Sequence, residues 1–416
     1  MEKKLTPAQK QYIDIKNMHK DCILFFRMWD FYETFYEDAK ICSKVLDLTL
    51  TSRNRNSPNP TPMAWVPYHS ADKYINKLVN SWYKVAIAEQ VWEIRPWQIV
   101  KREVTNIITP WTFLEQKDVK SYNFITAITF DWSYQICFGD FSIWEYFTKT
   151  FGDMSNLLNF LAKINPSEIV LDIDFPQKDE AEDYINTFFK SFISIFDLPA
   201  NSKFLEDILW VQTLESYGKV FEDGRKKWAL LLFHYLKQTQ KTAIKNISKI
   251  SFWWDEDKVI FDDITSKNLE IFHSSYENDK KYWLCNVLDN TKTPMWARLF
   301  NFMLSNPTNN INTINQRLDN IDYYFENEEI AQKIHSVLPM IWDVPRLISK
   351  ILYKKNSPFS RNRLRNILAN IFGNEEIFIE ITRLWLPKDI FDKVSDFYIH
   401  IDNALKDEIE EENIDF

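Results

Sequence analysis

Short apolar runs alternate with amphipathic stretches through the first 110 residues. Leu5–Met18 has apolar positions at helical spacing, with Thr6 placed to cap its first turn ahead of Pro7 at N1. Cys22–Met28 is a short, largely apolar run that reads as a buried strand. Phe31–Leu48 reads as a long amphipathic helix, with Asp30 as N-cap and Glu33 as the N3 residue of a capping box. A Pro/Asn/Ser loop follows at Ser52–Pro62, then a helix at Ala71–Asn80 and strands at Tyr83–Val91 and Val104–Thr109. The mixture predicts an α/β domain.

A second α/β unit is expected over residues 121–250. Asn123–Phe130 and Tyr134–Phe141 alternate around Asp131-Trp132 as a hairpin. Helix Met154–Ile164, strand Glu168–Leu171 and helix Glu180–Phe192 come next, and Leu114–Tyr122 is a linker. From about residue 253 the pattern is helical, through Leu269–Leu284, Met295–Leu304, Ile311–Phe325, Ile330–Leu338, Arg361–Phe372 and Lys388–Glu410.

Length and charge narrow the function classes. A chain of 416 residues exceeds one ordinary core. No apolar run reaches membrane-spanning length, and the charged N-terminus lacks the apolar stretch of a signal peptide. The cysteines, Cys22, Cys42, Cys137 and Cys285, are widely spaced, as expected of reduced, buried thiols in a cytoplasmic protein. The six histidines show no metal-ligand spacing. Net charge is −9, but residues 1–110 hold 16 Lys+Arg against 12 Asp+Glu, or +4, and the remainder holds 34 against 47, or −13. A basic front end on an acidic body suits a protein that touches a polyanion with one part only.

Three stretches carry a family resemblance. Asp21–Lys40, DCILFFRMWDFYETFYEDAK, resembles the mismatch-recognition segment of the MutS family, with its Phe-X-Glu motif. Pro62–Ser70, PMAWVPYHS, followed by a helix and VAIAEQV, is similar to the family's next motif. Asp263–Phe300, with DITSKNLEIF and NVLDNTKTPMWARLF, resembles the start of its lever domain. FSIWEY and INPSEIVLD between them are similar to its connector. The resemblance implies a mixed-sheet mismatch-recognition domain over 1–113, an RNase H-like connector over 121–250 and part of an all-α lever over 253–416. It implies mismatched double-stranded DNA as partner, and a cytoplasmic, nucleoid-associated protein. For the full-length family it implies a homodimer, a MutL-type partner, and an ATPase using ATP and magnesium. No GxxxxGK[ST] loop occurs in this chain, so no nucleotide cofactor is expected of it. It ends about where the family's clamp begins and reads as an incomplete gene product or a cloned fragment.

Mismatch recognition must read deformability, because a mispaired step costs a few kcal/mol less to bend and unstack. An apolar wedge from the minor groove exploits that difference. Phe31 is the candidate wedge, at the first position of the expected helix. Glu33 is the candidate base contact, a role carried over from the family motif. Arg53, Arg55, Lys101 and Arg102 are candidate phosphate contacts. A bland reading places the aromatics of the motif in the core at i,i+4 spacing and Glu33 as the capping partner of Asp30. An RNase H-type nuclease is the competing function, with Asp131, Asp140 and Asp172 near strand ends, where two-metal chemistry needs converging carboxylates. A non-catalytic interaction fragment without DNA binding is the third.

The glycine content is abnormal. There are five glycines and 16 tryptophans, where usage of about 7% predicts roughly 29 glycines. Where the family motifs have Gly, this chain has Trp, at Trp29, Trp65, Trp92, Trp111, Trp144, Trp283, Trp296 and Trp342. Turn chemistry points the same way. Asp131-Trp132 sits where a two-residue type I′ turn wants φ > 0 at both positions, and Pro96-Trp97 and Pro110-Trp111 read as Pro-Gly turns. Trp82 follows a helix end, the place of a C′ glycine. The expectation is a genome that reads UGA as glycine, translated here as tryptophan, with one of Trp253-Trp254 genuine.

Overall fold

The computed structural model describes residues 6–53, 60–91, 100–109, 111, 120–140, 142–143, 145–189, 191–198, 203–209, 226–240, 250–253, 257–259, 261, 263–272, 280–352, 358–374, 399 and 402–403. Arg55, Trp92, Trp97, Pro110, Trp144, most of the expected linker and most of the Lys388–Glu410 helix lie outside them.

Helix α1 (Pro7–Met18) opens with the expected cap, strengthened by a reciprocal bond. Thr6 Oγ1 accepts from the Gln9 amide, and Gln9 Oε1 accepts from the Thr6 amide at 3.0 Å. Strand β1 (Cys22–Met28) turns through Trp29-Asp30 into β2 (Phe31–Phe35), and α2 (Tyr36–Leu46) follows directly. The sheet is completed by β3 (Thr51–Arg53), β4 (Thr61–Pro67), then α3 (Ala71–Asn80), β5 (Lys84–Gln90) and β6 (Arg102–Ile108). Its order is β3-β4-β2-β1-β5-β6, with β1 parallel to β5 and the other pairs antiparallel. One face packs on α2 and α3 around Phe25, Leu46 and Leu78; the other packs on Tyr12 and Ile15 of α1. Asp38 ties three elements together. Its carboxylate accepts from Lys16 Nζ at 2.8 Å, and from Tyr12 Oη and the Leu24 amide at 3.0 Å each.

The second sheet comprises β7 (Ile125–Phe130), β8 (Tyr134–Asp140), β9 (Glu145–Phe151), β10 (Glu168–Asp172), β11 (Phe192–Phe196) and β12 (Ile250–Phe252), in the order β11-β10-β7-β8-β9-β12. Strands β7 to β9 form an antiparallel meander, and β10 runs parallel to β7. α4 (Met154–Ile164) and α5 (Lys178–Phe188) cover one face; α6 (Lys203–Leu209) and α7 (Lys227–Gln240) cover the other. The expected helix over Glu180–Phe192 therefore ends early, and Phe192 begins β11, because FISIF completes the parallel edge beside β10. The hairpin at Asp131-Trp132 is confirmed with a three-residue loop between paired Phe130 and Tyr134, and only Trp132 in it has positive φ, at 64°.

The described elements beyond Asp263 are helical: α8 (Asp263–Asn268), α9 (Leu284–Leu288), α10 (Pro294–Ser305), α11 (Ile311–Glu326), α12 (Glu328–Val337), α13 (Val344–Leu352) and α14 (Pro358–Gly373). The continuous helix expected over Leu269–Leu284 is not formed; the chain turns at Leu269-Glu270, where Glu270 has φ 50°. Arg298 of α10 makes a two-pronged ion pair with Asp343 at 2.5 and 2.8 Å. None of the four cysteines is in a disulfide, and all four are buried. Among the described residues no helix is long and apolar enough to cross a membrane.

Candidate nucleic-acid interface

The motif segment forms a strand where the pattern predicted a helix. Phe31–Phe35 satisfies both periods: Phe31 and Phe35 are four apart, yet Phe31, Glu33 and Phe35 also alternate with Tyr32 and Thr34. Partners on both sides decide it. β2 pairs with β1 through Phe26↔Glu33 and Met28↔Phe31, and with β4 through Glu33↔Trp65 and Phe31↔Pro67. Phe31 is thus neither at a helix N1 position nor preceded by an N-cap, and Glu33 caps nothing. Phe31 is instead the first strand residue after a two-residue hairpin loop.

That placement still projects the ring. Phe31 is 38% exposed at the tip, its ring edge-on to Trp65 at 4.8 Å. By strand alternation Glu33 and Phe35 share its face. Phe35 lies in the core against Tyr12, with ring centroids 4.9 Å apart. The face therefore runs from solvent at Phe31 to core at Phe35, with Glu33 half-buried between.

Glu33 sits among cations. Its Oε2 accepts from Arg53 Nη1 at 3.1 Å. Burial pushes its carboxyl above the usual range, and the Arg53 and Arg102 guanidiniums partly oppose that rise.

The candidate phosphate contacts divide. Arg53 is half-exposed on β3 and engaged with Glu33. Lys101 is exposed and paired with Glu103 at 2.6 Å. Arg102 corrects the expectation. It is only 9% exposed, donates from Nε to the Arg27 carbonyl at 2.6 Å and from Nη1 to the Val100 carbonyl at 3.0 Å, and lies over the Phe26 ring. It is a fixed charge inside the sheet, because β6 pairing turns it inward.

Sequence reasoning missed two residues at the same sheet end. The Arg27 guanidinium lies 3.6 Å from the centroid of the Tyr68 ring, and the Tyr68 amide donates to the Asp30 carbonyl at 2.9 Å. Strand alternation would have found Arg27 once β1 and β2 were known to be a hairpin, since Arg27 pairs with Tyr32.

The three aspartates do not converge. Asp131 and Asp172 lie toward one end of the second sheet, and Asp140 lies at the other, beside the start of β7. Asp131 is 3.5 Å from Lys227. Asp140 accepts from the Asn123 amide and from Ser142, and faces Arg346 of α13 at 3.6 Å. A two-metal nuclease site is absent there, and no His/Cys/Asp/Glu group suited to a metal ion occurs among the described residues.

The expected glycine positions can be tested by backbone angle. Trp29, Trp82 and Trp132 have φ of 57°, 67° and 64°, three of the eight non-glycine residues with positive φ among those described. At Trp82 the two bonds of a Schellman motif are present: the Tyr83 amide donates to the Leu78 carbonyl, and the Trp82 amide to that of Val79. Trp283 has φ −73°, and Trp296 lies within α10. Trp65 lies within β4, and Trp342 is not among the residues with positive φ either, so these four positions make no such demand. Trp253 is buried among Phe138, Phe147 and Phe160.

Comparison with known proteins gives matches to MutS domain I over residues 6–117, MutS domain II over 123–250 and MutS domain III over 264–414. Proteins named DNA mismatch repair protein MutS are similar along nearly the whole chain. That of Caldanaerobacter subterraneus subsp. tengcongensis is 34% identical over 97% of this chain and 48% of its own length. That of Caldicellulosiruptor bescii is 35% identical over 97% and 47%. That of Clostridioides difficile is 32% identical over 97% and 43%. The chain spans about half the length of these relatives.

Proposed function

This chain belongs to the MutS family, and from that premise we propose that it binds mismatched or looped-out duplex DNA through Phe31 and Glu33 at the open end of its first sheet. One observation carries the reading: a half-exposed phenyl ring at a hairpin tip, with a desolvated carboxylate two residues along the same face. The ring enters from the minor groove and stacks on a base at a step that good pairing would hold closed. Glu33 meets a base edge freed by mispairing. Arg53 and Arg27 contact the flanking backbone, joined by Lys101 and Arg55.

In the same proposal residues 1–113 are the mismatch-recognition domain. Residues 121–250 are an RNase H-like connector whose Asp140 holds the lever rather than a metal, and 253–416 are part of an all-α lever. The complete protein is a dimeric, DNA-dependent ATPase that uses ATP and magnesium and works with a MutL-type partner. The part described in this chain supplies recognition and no catalytic residue.

Glu33→Ala tests the reading. Removing a carboxylate that approaches phosphates strengthens binding to matched duplex, and the base contact, worth about 1–3 kcal/mol, is lost. The expected result is a roughly 5- to 150-fold fall in the ratio of mismatched to matched affinity, measured by fluorescence anisotropy, with an unchanged circular dichroism spectrum. An unaltered ratio overturns the role of Glu33.

A further inference from the structure

We propose that Arg53 is a positioning residue: it pairs with Glu33 and holds its carboxyl turned toward β3 in the free protein, and passes to a backbone phosphate when a duplex docks. The proposal rests on the recognition reading above and adds how its carboxylate is controlled.

The geometry separates the two cations beside Glu33. Arg102 is buried and committed to the carbonyls of Arg27 and Val100, so it stays where it is. Arg53 is half-exposed, its guanidinium reaches Glu33 through one nitrogen at 3.1 Å, and it stands on a three-residue strand at the sheet edge. A guanidinium has five donors and matches phosphate two-pronged, whereas this pair uses one. Among the described residues, the other neighbours of Glu33 on its face carry no charge: Phe26 and Met28 come from β1, and Met63 and Trp65 from β4. Among the described residues, Arg53 and Arg102 are therefore the charged groups facing it, from β3 and β6.

The consequence is a linked proton. In the free protein Arg53 opposes the rise that burial imposes on the Glu33 carboxyl. When Arg53 turns to a phosphate, Glu33 loses a cation and gains anionic neighbours, so its pKa rises further. Binding then takes up a proton, and mismatch affinity increases as pH falls through the interval between the free and bound pKa values. The protonated Glu33 has an O–H to donate to a base acceptor, which a carboxylate lacks.

Two measurements on the full chain test this. In the first, the Glu33 carboxyl is titrated by carbon NMR in the DNA-free protein, with Glu33→Gln to assign its signal. Arg53→Gln is expected to move the titration to higher pH, and Arg53→Lys to leave it near the original. No movement in Arg53→Gln overturns the proposal. In the second, proton uptake on binding a duplex with one mismatch is measured by calorimetry in two buffers of different ionisation enthalpy. Uptake is expected in the unmodified chain, absent in Glu33→Gln and reduced in Arg53→Gln. Equal uptake with and without Arg53 also overturns it. If the unmodified chain does not discriminate mismatched from matched duplex, the recognition reading fails, while the free-protein titration still decides the Arg53–Glu33 link.

Discussion

Phe31→Ala is expected to abolish the preference for mismatched over matched duplex and to leave the fold intact. In the proposed reading the phenyl ring at the tip enters a weakened base step, and stacking of an aromatic ring on a base contributes about 1–3 kcal/mol. Losing it costs roughly 5- to 150-fold in mismatched affinity. Matched duplex, which does not open for the ring, loses little. The fold survives because Phe31 is 38% exposed and contacts Trp65 at the edge, while Phe35 and Phe26 carry the core on that face. The experiment is a comparison of a duplex with a one-nucleotide loop against its matched counterpart, with thermal unfolding alongside. Equal discrimination by the variant would sink the wedge role.

Replacing Trp29, Trp82 and Trp132 together by glycine stabilises the protein by about 3 kcal/mol. A non-glycine residue in the left-handed region costs of order 1–3 kcal/mol, and glycine gives back part of that through its freer unfolded chain. The indoles contribute little in exchange: Trp29 and Trp132 are 83% and 96% exposed, and Trp82 is half-exposed. The three substitutions lie in separate loops and should add nearly independently. Trp253→Gly is the contrasting control. It empties a cavity among Phe138, Phe147, Phe160 and Phe302, with an expected loss of about 3–5 kcal/mol. Urea unfolding of both variants gives the two signs; a destabilised triple variant contradicts the stereochemical argument. In protein from the native host, peptide masses at Trp29, Trp65 and Trp132 are expected to be those of glycine, and tryptophan masses there end the idea of a recoded UGA. The all-Trp chain made in a standard host is expected to be poorly soluble, and glycine at these positions to rescue it.

Local chemistry determined a definite part of this molecule. Thr6, Pro7 and Gln9 specify where α1 begins, because each bond of the cap lies within four residues. Ala71–Asn80 ends where expected because the residue two beyond it has to be left-handed, whichever side chain stands there. The hairpin around Trp132 follows from two alternating runs either side of a turn. The motif Phe31-Tyr32-Glu33 marked the candidate site before any contact was known.

Other features lay beyond any window of sequence. FYETF fits helix and strand equally, and only β1 and β4 on its two sides make it a strand. β3 and the start of β4 fall in a segment whose Pro, Asn and Ser content reads as loop; they are strands because the sheet supplies partners. Arg102 looks like any basic loop residue until the pairing of β6 turns it inward, and Asp140 looks like a strand-end carboxylate until Arg346, distant in sequence, faces it. The pairing of Arg53 with Glu33, twenty residues apart, is of the same kind. Caps and turns are satisfied by neighbours in the chain. Strand pairing, burial and ion pairing are satisfied by neighbours in space, and for those the tertiary structure had to decide.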